Sequence, residues 1–431
     1  RGDIGIRDKH IVKMGRLHAA TATYEKNVEG LMASPGFIDA HTHDDRLVLS
    51  APEMLPKLSQ GVTTVIAGNC GISLAPLILK REPPPPLNLF RAQSNYRFKR
   101  VADYVAAVAQ AQPNINVAAL IGHSTLRVGV MDDVARKATP QEIDQMRSLL
   151  QEGLDAGAIG FSTGLFYDTN KAADMQEVVA LAELLADCGG IYTTHMRDEL
   201  DGVVDSLKES FVTAKLAQVP LVISHHKCAG PNNWGRSVDT LKLIKQAQQQ
   251  QRVGLDVYPY VAGSTVIIPE LVDGIIKILI TDSKPHPEMA GKYLADIAAT
   301  WHCTEREAAQ RLAPGGACYF QMAEEDMQRI LKYPHTMIGS DGLPHDEHPH
   351  PRLWGTFPRV IGRYARDLGL FTIEEAVRKM TSLPAQQFRL KNRGVLKEGA
   401  VADIVAFNPA TILDVATFKQ PMQKAQGIEL V

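Results

Sequence analysis

The stretch FIDAHTHDD, Phe37–Asp45, carries an apolar run into two histidines one residue apart and then two aspartates. In an extended strand alternate side chains share a face, so His41 and His43 project together from the strand's C-terminal end. That spacing suits a metal ion, and it equally suits a pair of hydrogen-bonded structural histidines. The choice rests on the rest of the chain, where seven further runs end in the same manner.

GFIDAHTH (36–43), VTTVIAGNC (62–70), INVAALIGH (115–123), AIGFSTG (158–164), GIYTTHMRDE (190–199), PLVISHH (220–226), VGLDVYPY (253–260) and HTMIGSD (335–341) are eight short β-branched runs. Stretches with apolar residues three and four apart, the helical period, lie between them. Eight strands alternating with helices predict an α/β fold, a (β/α)8 TIM-like barrel. Its strands are buried on both faces, so they read as continuous apolar runs. The runs end in His41 and His43, Cys70, His123, Ser162, His195, Ser224 and His225, Tyr258 and Asp341. In a barrel these ends converge on the one face where βα loops build an active site.

The 431 residues carry 46 Lys+Arg against 48 Asp+Glu and are 45% hydrophobic, enough for a large core. Near-neutral charge gives no reason to expect a nucleic-acid or membrane partner. No apolar stretch approaches the roughly 18 residues of a membrane span, and no secretory leader is visible, so the expected location is cytoplasmic. Five scattered cysteines predict reduced thiols rather than a disulfide framework. The chain begins with Arg1, already in a strand pattern, so its natural start is expected to be missing. Oligomeric state is not legible, and a monomer is compatible with everything above.

Two regions depart from a simple barrel. Residues 261–333 are too long for a connection and contain helical patterns such as MAGKYLADIAATWHCTEREAAQRL (289–312), predicting an inserted subdomain over the site. GDIGIRDKHIVKMG (2–15) and VADIVAFNP (401–409) are short strand patterns. The expected division is a small β-sandwich domain from both termini (1–34 with 395–431), a barrel over 35–394, and the insertion at 261–333.

Zinc takes thiolate sulfur, imidazole nitrogen and carboxylate oxygen, and a catalytic site typically has three protein ligands and one open position. Strand ends offer His41, His43, Cys70, His195, His225 and Asp341. Singly, each has an ordinary alternative: Cys70 as a small buried hydrophobe, a histidine as a hydrogen-bonded structural residue, Asp341 as a turn or helix N-cap. Six at one predicted face favour a metal.

SPGFIDAHTHDD, GVTTVIAGNCGIS, GFSTGLFYD, THMRDE, ISHHKCAG, DVYPYVAGST and IGSDGLPH, with GVLKEGAVADIVAFNP from Gly394, resemble the amidohydrolase superfamily along essentially the whole chain. GNCG, HHK and GGACYFQM with HPHPRLWGTFPR resemble more narrowly its N-acyl-D-amino-acid deacylase (D-aminoacylase) branch. The resemblance implies a tightly held Zn2+ on Cys70, His195 and His225, and a second, weaker position at His41 and His43 sharing Cys70 and Asp341. Many amidohydrolases bridge two metals with a carboxylated lysine from the fourth strand. AIGFSTG has no lysine, which makes Cys70 the candidate bridge.

Asp341 is the implied general acid/base, and the chemistry agrees, since a carboxylate beside an activated water can take its proton and return it to the leaving amine. For the substrate carboxylate, Lys227 and the planar fork of Arg352 are candidates. The resemblance adds Tyr258 and Ser264, and lines a side-chain pocket with Phe166, Tyr319 and Met322; Phe166 and Met322 could equally be core. His345, His348 and His350 are expected in solvent. The implied activity is zinc-dependent hydrolysis of small-molecule N-acyl-D-amino acids with neutral hydrophobic side chains. The alternatives are an N-acyl-D-glutamate or N-acyl-D-aspartate deacylase, a cyclic-amide hydrolase of the dihydroorotase or hydantoinase kind, and a non-catalytic barrel scaffold.

Overall fold

Eight parallel strands form one sheet in a computed structural model of the chain, which describes residues 2–17 and 20–431. They are β1 (Phe37–Asp39), β2 (Val62–Ala67), β3 (Asn116–Gly122), β4 (Gly160–Gly164), β5 (Ile191–His195), β6 (Leu221–Ile223), β7 (Val253–Val257) and β8 (Thr336–Ile338). Neighbours in the sheet are neighbours in sequence. Closure comes from β8 meeting β1: the Ala40 amide donates to Ile338 O at 3.2 Å and the Asp341 amide to His41 O at 2.8 Å. Each run read from the sequence supplies one strand, and the strands stop short of the polar residues, Ser162 and His195 excepted.

Alternation along the strands divides two apolar layers. Ile38, Ile66, Leu120, Ile191, Val222 and Met337 form the barrel interior, which Phe388 and Leu390 close. Their neighbours Phe37, Val65, Ile121, Tyr192, Ile223 and Ile338 face outward onto the helices. Those helices carry ordinary start signals: Pro140–Asp155 opens on a capping box between Thr139 and Glu142 with a proline in its first turn.

Beneath the β8–β1 seam lies a fully buried ion pair. Lys57 Nζ donates to Asp39 Oδ2 at 2.7 Å and to Ser340 Oγ at 2.8 Å, and Asp39 Oδ1 accepts the Ser340 amide at 2.7 Å. The pair therefore grips both strands that close the barrel.

The terminal strands pair with each other. Met32–Pro35 runs antiparallel to Ile404–Phe407, which pairs in turn with Ile428–Leu430. A hairpin of Asp3–Arg7 and His10–Gly15 joins them where the Ile11 amide donates to Ala400 O at 2.9 Å. Arg1, His18 and Ala19, within the predicted terminal β-domain, lie outside the described residues.

After β7 the chain leaves the barrel for a three-stranded antiparallel sheet of Gly263–Val266, Gly315–Tyr319 and Ile278–Ser283. Helices Leu294–Thr300 and Glu305–Leu312 pack on it around a separate apolar cluster including Ile280, Ile297, Leu312 and Ala317. The end of the predicted insertion behaves differently: Met327, Ile330 and Leu331 of helix Glu324–Lys332 join the main core. Among the described residues no helix is long and apolar enough to cross a membrane.

Lys57→Met leaves the Asp39 and Asp44 carboxylates, both buried, without their shared counter-charge, and urea titration is expected to show a loss of about 3–5 kcal/mol. Adding Asp39→Asn should recover part of it. A loss below about 1 kcal/mol for the single variant would separate the ion pair from barrel closure.

Candidate metal centre

Apart from His195, which ends β5 itself, the ligands sit in the turns that follow the strands. Behind β2 the turn is Gly68–Gly71, where Gly68 has φ +81° and a Cβ on it would lie 2.1 Å from Leu120 O. Ser162 of β4 braces the turn, donating to Gly68 O and accepting the Gly71 amide at 3.0 Å. Cys70, His225 and Asp341 themselves sit at φ 52°, 35° and 49°. Left-handed backbone at a residue with a Cβ costs about 1–3 kcal/mol and persists only where the surroundings over-determine it. Three such residues, each following a strand, mark the rim as a built site.

The six strand-end candidates converge into two groups that share Cys70. In the first, the donor atoms of Cys70, His195 and His225 lie within 4.8 Å of one another. Cys70 Sγ is 3.3 Å from His225 Nε2, which is 3.1 Å from His195 Nδ1. In the second, His41, His43, Cys70 and Asp341 meet the same 4.8 Å limit. There Cys70 Sγ is 3.2 Å from His41 Nε2, and Asp341 Oδ1 is 3.1 Å from His43 Nε2 and 3.4 Å from His41 Nε2. Tetrahedral zinc with its usual bond lengths spaces two nitrogens about 3.3 Å apart and a sulfur and a nitrogen about 3.6 Å apart. The observed spacings lie close to those values, and the donor set is a zinc set, so these residues fit a metal.

The charges agree. Burial opposes ionisation of the Cys70 thiol, but His41 and His225 outweigh it and hold the thiol well below its usual range. Burial also works against the Asp341 carboxylate, yet Arg352 and His41 keep its carboxyl well below the ordinary value. Burial and Lys227 push His225 down, while Glu199 and Cys70 reverse this and raise it to about 9. A site that stabilises a thiolate and a carboxylate inside a barrel is arranged for a cation.

Two carboxylates that the sequence reading left without a role stand behind the histidines. Asp256, inside β7, accepts the His225 amide at 2.9 Å and lies 3.3 Å from His41 Nδ1. Glu199, four residues after His195, lies 3.0 Å from His225 Nδ1 and 2.8 Å from Lys227 Nζ. The signal for Glu199 was present in the quoted THMRDE; Asp256 was one polar residue in an apolar run.

An open cleft of about 660 Å³ lies over these groups. Of the sequence-predicted residues, His43, Cys70, His195, His225, Asp341, Lys227, Tyr258, Ser264, Phe166 and Tyr319 line it. Leu89, Tyr167, Leu200, Leu271 and Leu343 also line it and were not singled out in the sequence, although Tyr167 and Leu343 lie within the quoted GFSTGLFYD and IGSDGLPH. His41 is fully buried behind the others.

Three expectations need correction. Met322 does not line the cleft; it packs with Tyr258 and Tyr260 in a buried apolar cluster. Arg352 is fully buried and does not present its fork to the cleft: Nη2 pairs with Asp341 Oδ2 at 3.0 Å and donates to Ser264 O at 3.0 Å. Nη2 belongs to both edges of a guanidinium, so a bidentate grip on another carboxylate is lost while it is so engaged. His350 is not in solvent; it is buried, with Nε2 on Ala262 O at 3.0 Å and Nδ1 accepting the Arg352 amide at 2.9 Å.

Cys70 is the one side chain common to both groups. Cys70→Ala should reduce zinc content, measured by mass spectrometry on purified protein, to below about a tenth of wild type. Wild-type zinc in that variant would exclude the ligand set.

The geometry has counterparts among characterised proteins. The chain is 51% identical over 431 residues to a D-aminoacylase from Alcaligenes xylosoxydans xylosoxydans, covering 100% of this chain and 89% of the relative. A D-aminoacylase structure studied for the functional role of its binuclear metal centre superposes with TM-score 0.97 at 50% identity, covering 99% of this chain and 90% of that one. An N-acyl-D-glutamate deacylase from Bordetella bronchiseptica, complexed with zinc and a phosphonate mimic of the tetrahedral intermediate, also superposes with TM-score 0.97. Its identity is 46%, over 100% of this chain and 90% of that one. The sequence profile of the amidohydrolase family matches residues 26–263 and 294–431. A likeness this extensive, carried by the barrel and the insertion alike, makes the protein a member of the amidohydrolase family.

Proposed function

We propose that the protein is a metal-dependent amidohydrolase that cleaves the linear amide of N-acyl-D-amino acids to a carboxylate and a free D-amino acid. The observation that carries this reading is the convergence of Cys70, His195 and His225 beside Asp341 at the floor of one cleft. Cys70, His195 and His225 hold the tight zinc position in this reading, and His41, His43, Cys70 and Asp341 a weaker second one. Zinc bound there supplies Lewis-acid polarisation of the scissile carbonyl and a water acidic near neutral pH.

The chain's own residues do the rest. Asp341 Oδ1 takes the proton of the attacking water, whose oxygen joins the carbonyl carbon. Asp341 then delivers that proton to the amine nitrogen as the C–N bond breaks. Arg352 holds Oδ2 and so aims Oδ1 across the cleft. Lys227 and Tyr258 receive the substrate carboxylate from the wall they share, with Ser264 beside them. Phe166, Tyr319, Leu89, Leu200 and Leu271 surround the amino-acid side chain.

That apolar wall supports a neutral side chain. The acidic alternative needs a second cation in the wall, and the one Lys or Arg side chain among the described residues lining the cleft, Lys227, faces the substrate carboxylate in this reading. Against cyclic amides, β4 brings no lysine to the rim, and Cys70 takes the place between the two metal positions. A working division of the chain follows: chemistry and part of the side-chain wall in the barrel over 35–394, the rest of that wall in the insertion at 261–333, and a terminal β-domain, supported by the insertion's separate apolar cluster.

Hydrolysis of N-acetyl-D-methionine, N-acetyl-D-glutamate and N-acetyl-L-methionine tests the reading. The D-methionine derivative should be favoured at least about tenfold in kcat/KM over the glutamate derivative, and the L form should resist; preference for glutamate would install the acidic alternative. Asp341→Asn should cut kcat by about 10² to 10⁴ while leaving one tight zinc, and retained turnover would remove Asp341 from the proton path. Arg352→Lys should lower kcat by about tenfold or more, through loss of its grip on Asp341. A rise in KM alone would return Arg352 to carboxylate capture.

A further inference from the structure

The two histidines of the first group turn opposite ring nitrogens toward the thiolate. His225 presents Nε2, 3.3 Å from Cys70 Sγ, whereas His195 presents Nδ1, 3.1 Å from His225 Nε2. Their outward nitrogens share one carboxylate: Glu199 Oε1 lies 3.0 Å from His225 Nδ1, where Lys227 Nζ at 2.8 Å competes with it, and Glu199 Oε2 lies 3.6 Å from His195 Nε2. Glu199 is buried, and its backbone carbonyl accepts the Ala229 amide at 2.8 Å, which locks the loop after β5 to the loop after β6.

A neutral imidazole has one proton, and it ligates through the nitrogen without it. A carboxylate against the outward nitrogen draws the proton there and leaves the inward nitrogen free. Because His195 and His225 use different nitrogens, an environment that favoured the same tautomer at both would set one of them wrongly. One carboxylate between them sets both.

We infer that Glu199 is a positioning residue that fixes the tautomers of His195 and His225 together and thereby sets the metal affinity of the Cys70, His195 and His225 position, with Lys227 as its counter-ion. The inference rests on the metal reading above. It differs from a purely structural ion pair, in which breaking either end has the same consequence. If Glu199 positions the histidines, its loss damages metal binding. Loss of Lys227 leaves the carboxylate in place with more of its charge available to the histidines.

The experiment is zinc affinity by chelator competition on the full chain, comparing wild type, Glu199→Gln, Glu199→Asp and Lys227→Met, with thermal unfolding of the zinc-free proteins as a folding control. Glu199→Gln should bind zinc about 10- to 100-fold more weakly, the range for loss of an outer partner of a ligand histidine. Glu199→Asp should recover part of the loss. Lys227→Met should bind zinc within threefold of wild type or more tightly. If Glu199→Gln does not fold, the double variant Glu199→Gln with Lys227→Met removes both charges, and it should show the same weakening. Wild-type affinity in Glu199→Gln, or in the double variant where that replaces it, overturns the inference. So does equal weakening in Glu199→Gln and Lys227→Met. Wild-type protein that binds no zinc would instead overturn the metal reading. Zinc binding without cleavage of N-acyl-D-amino acids would overturn the substrate reading while the affinity comparison still decides the role of Glu199.

Discussion

Closing β8 onto β1 is the constraint on which the rest of the molecule depends. His41 and His43 leave from one side of that seam and Asp341 from the other, so their meeting requires the two strands to pair in one register. The Lys57–Asp39 pair sits directly beneath, and Asp39 and Ser340, linked by a hydrogen bond, are 301 residues apart in sequence. A buried ion pair is a poor source of net stability, because the desolvation of two charges offsets most of their attraction. Here it serves register: slipping β8 by one residue removes a partner from each group in a place water does not reach.

Above the seam the backbone is arranged in advance of any ligand. Cys70, His225 and Asp341 hold left-handed conformations that side chains disfavour, and each is fixed by a bond from another strand. Ser162 of β4 holds the Cys70 turn, Asp256 of β7 holds the His225 amide, and His41 holds the Asp341 amide. Neighbouring strands thus hold one another's ligands, and the strain is borne by the closed barrel. Rigid strand ends keep ligand atoms within tenths of an ångström, which loops alone would not.

The cleft walls follow a different logic. Leu89, Phe166, Leu200, Leu271 and Leu343 come from five separate connections, and the insertion that supplies Ser264, Leu271 and Tyr319 has its own apolar cluster. Changes in those segments alter the shape presented to a substrate without moving Cys70 or the histidines. That separation is how one barrel serves several substrates, and it places the chemistry of this protein and its selectivity in different parts of the chain.

The sequence by itself determined the barrel and the residues that reach its rim. Strand periodicity and position at a run's end are local properties, so His41, His43, Cys70, His195, His225 and Asp341 could be picked out before any contact was known. Only the tertiary structure decided how their charges are shared. Arg352 carries a free fork in the sequence, yet in the fold it is turned onto Asp341. Lys227 reads as an unpaired site cation, yet in the fold it shares its charge with Glu199. Glu199 resembles any solvated acid four residues past a histidine, and Met322 resembles a pocket residue until the packing of Tyr258 and Tyr260 encloses it. The reason is physical: hydrogen bonds and ion pairs act over about 3 Å through space. Residues brought that close by barrel closure can lie anywhere along the chain.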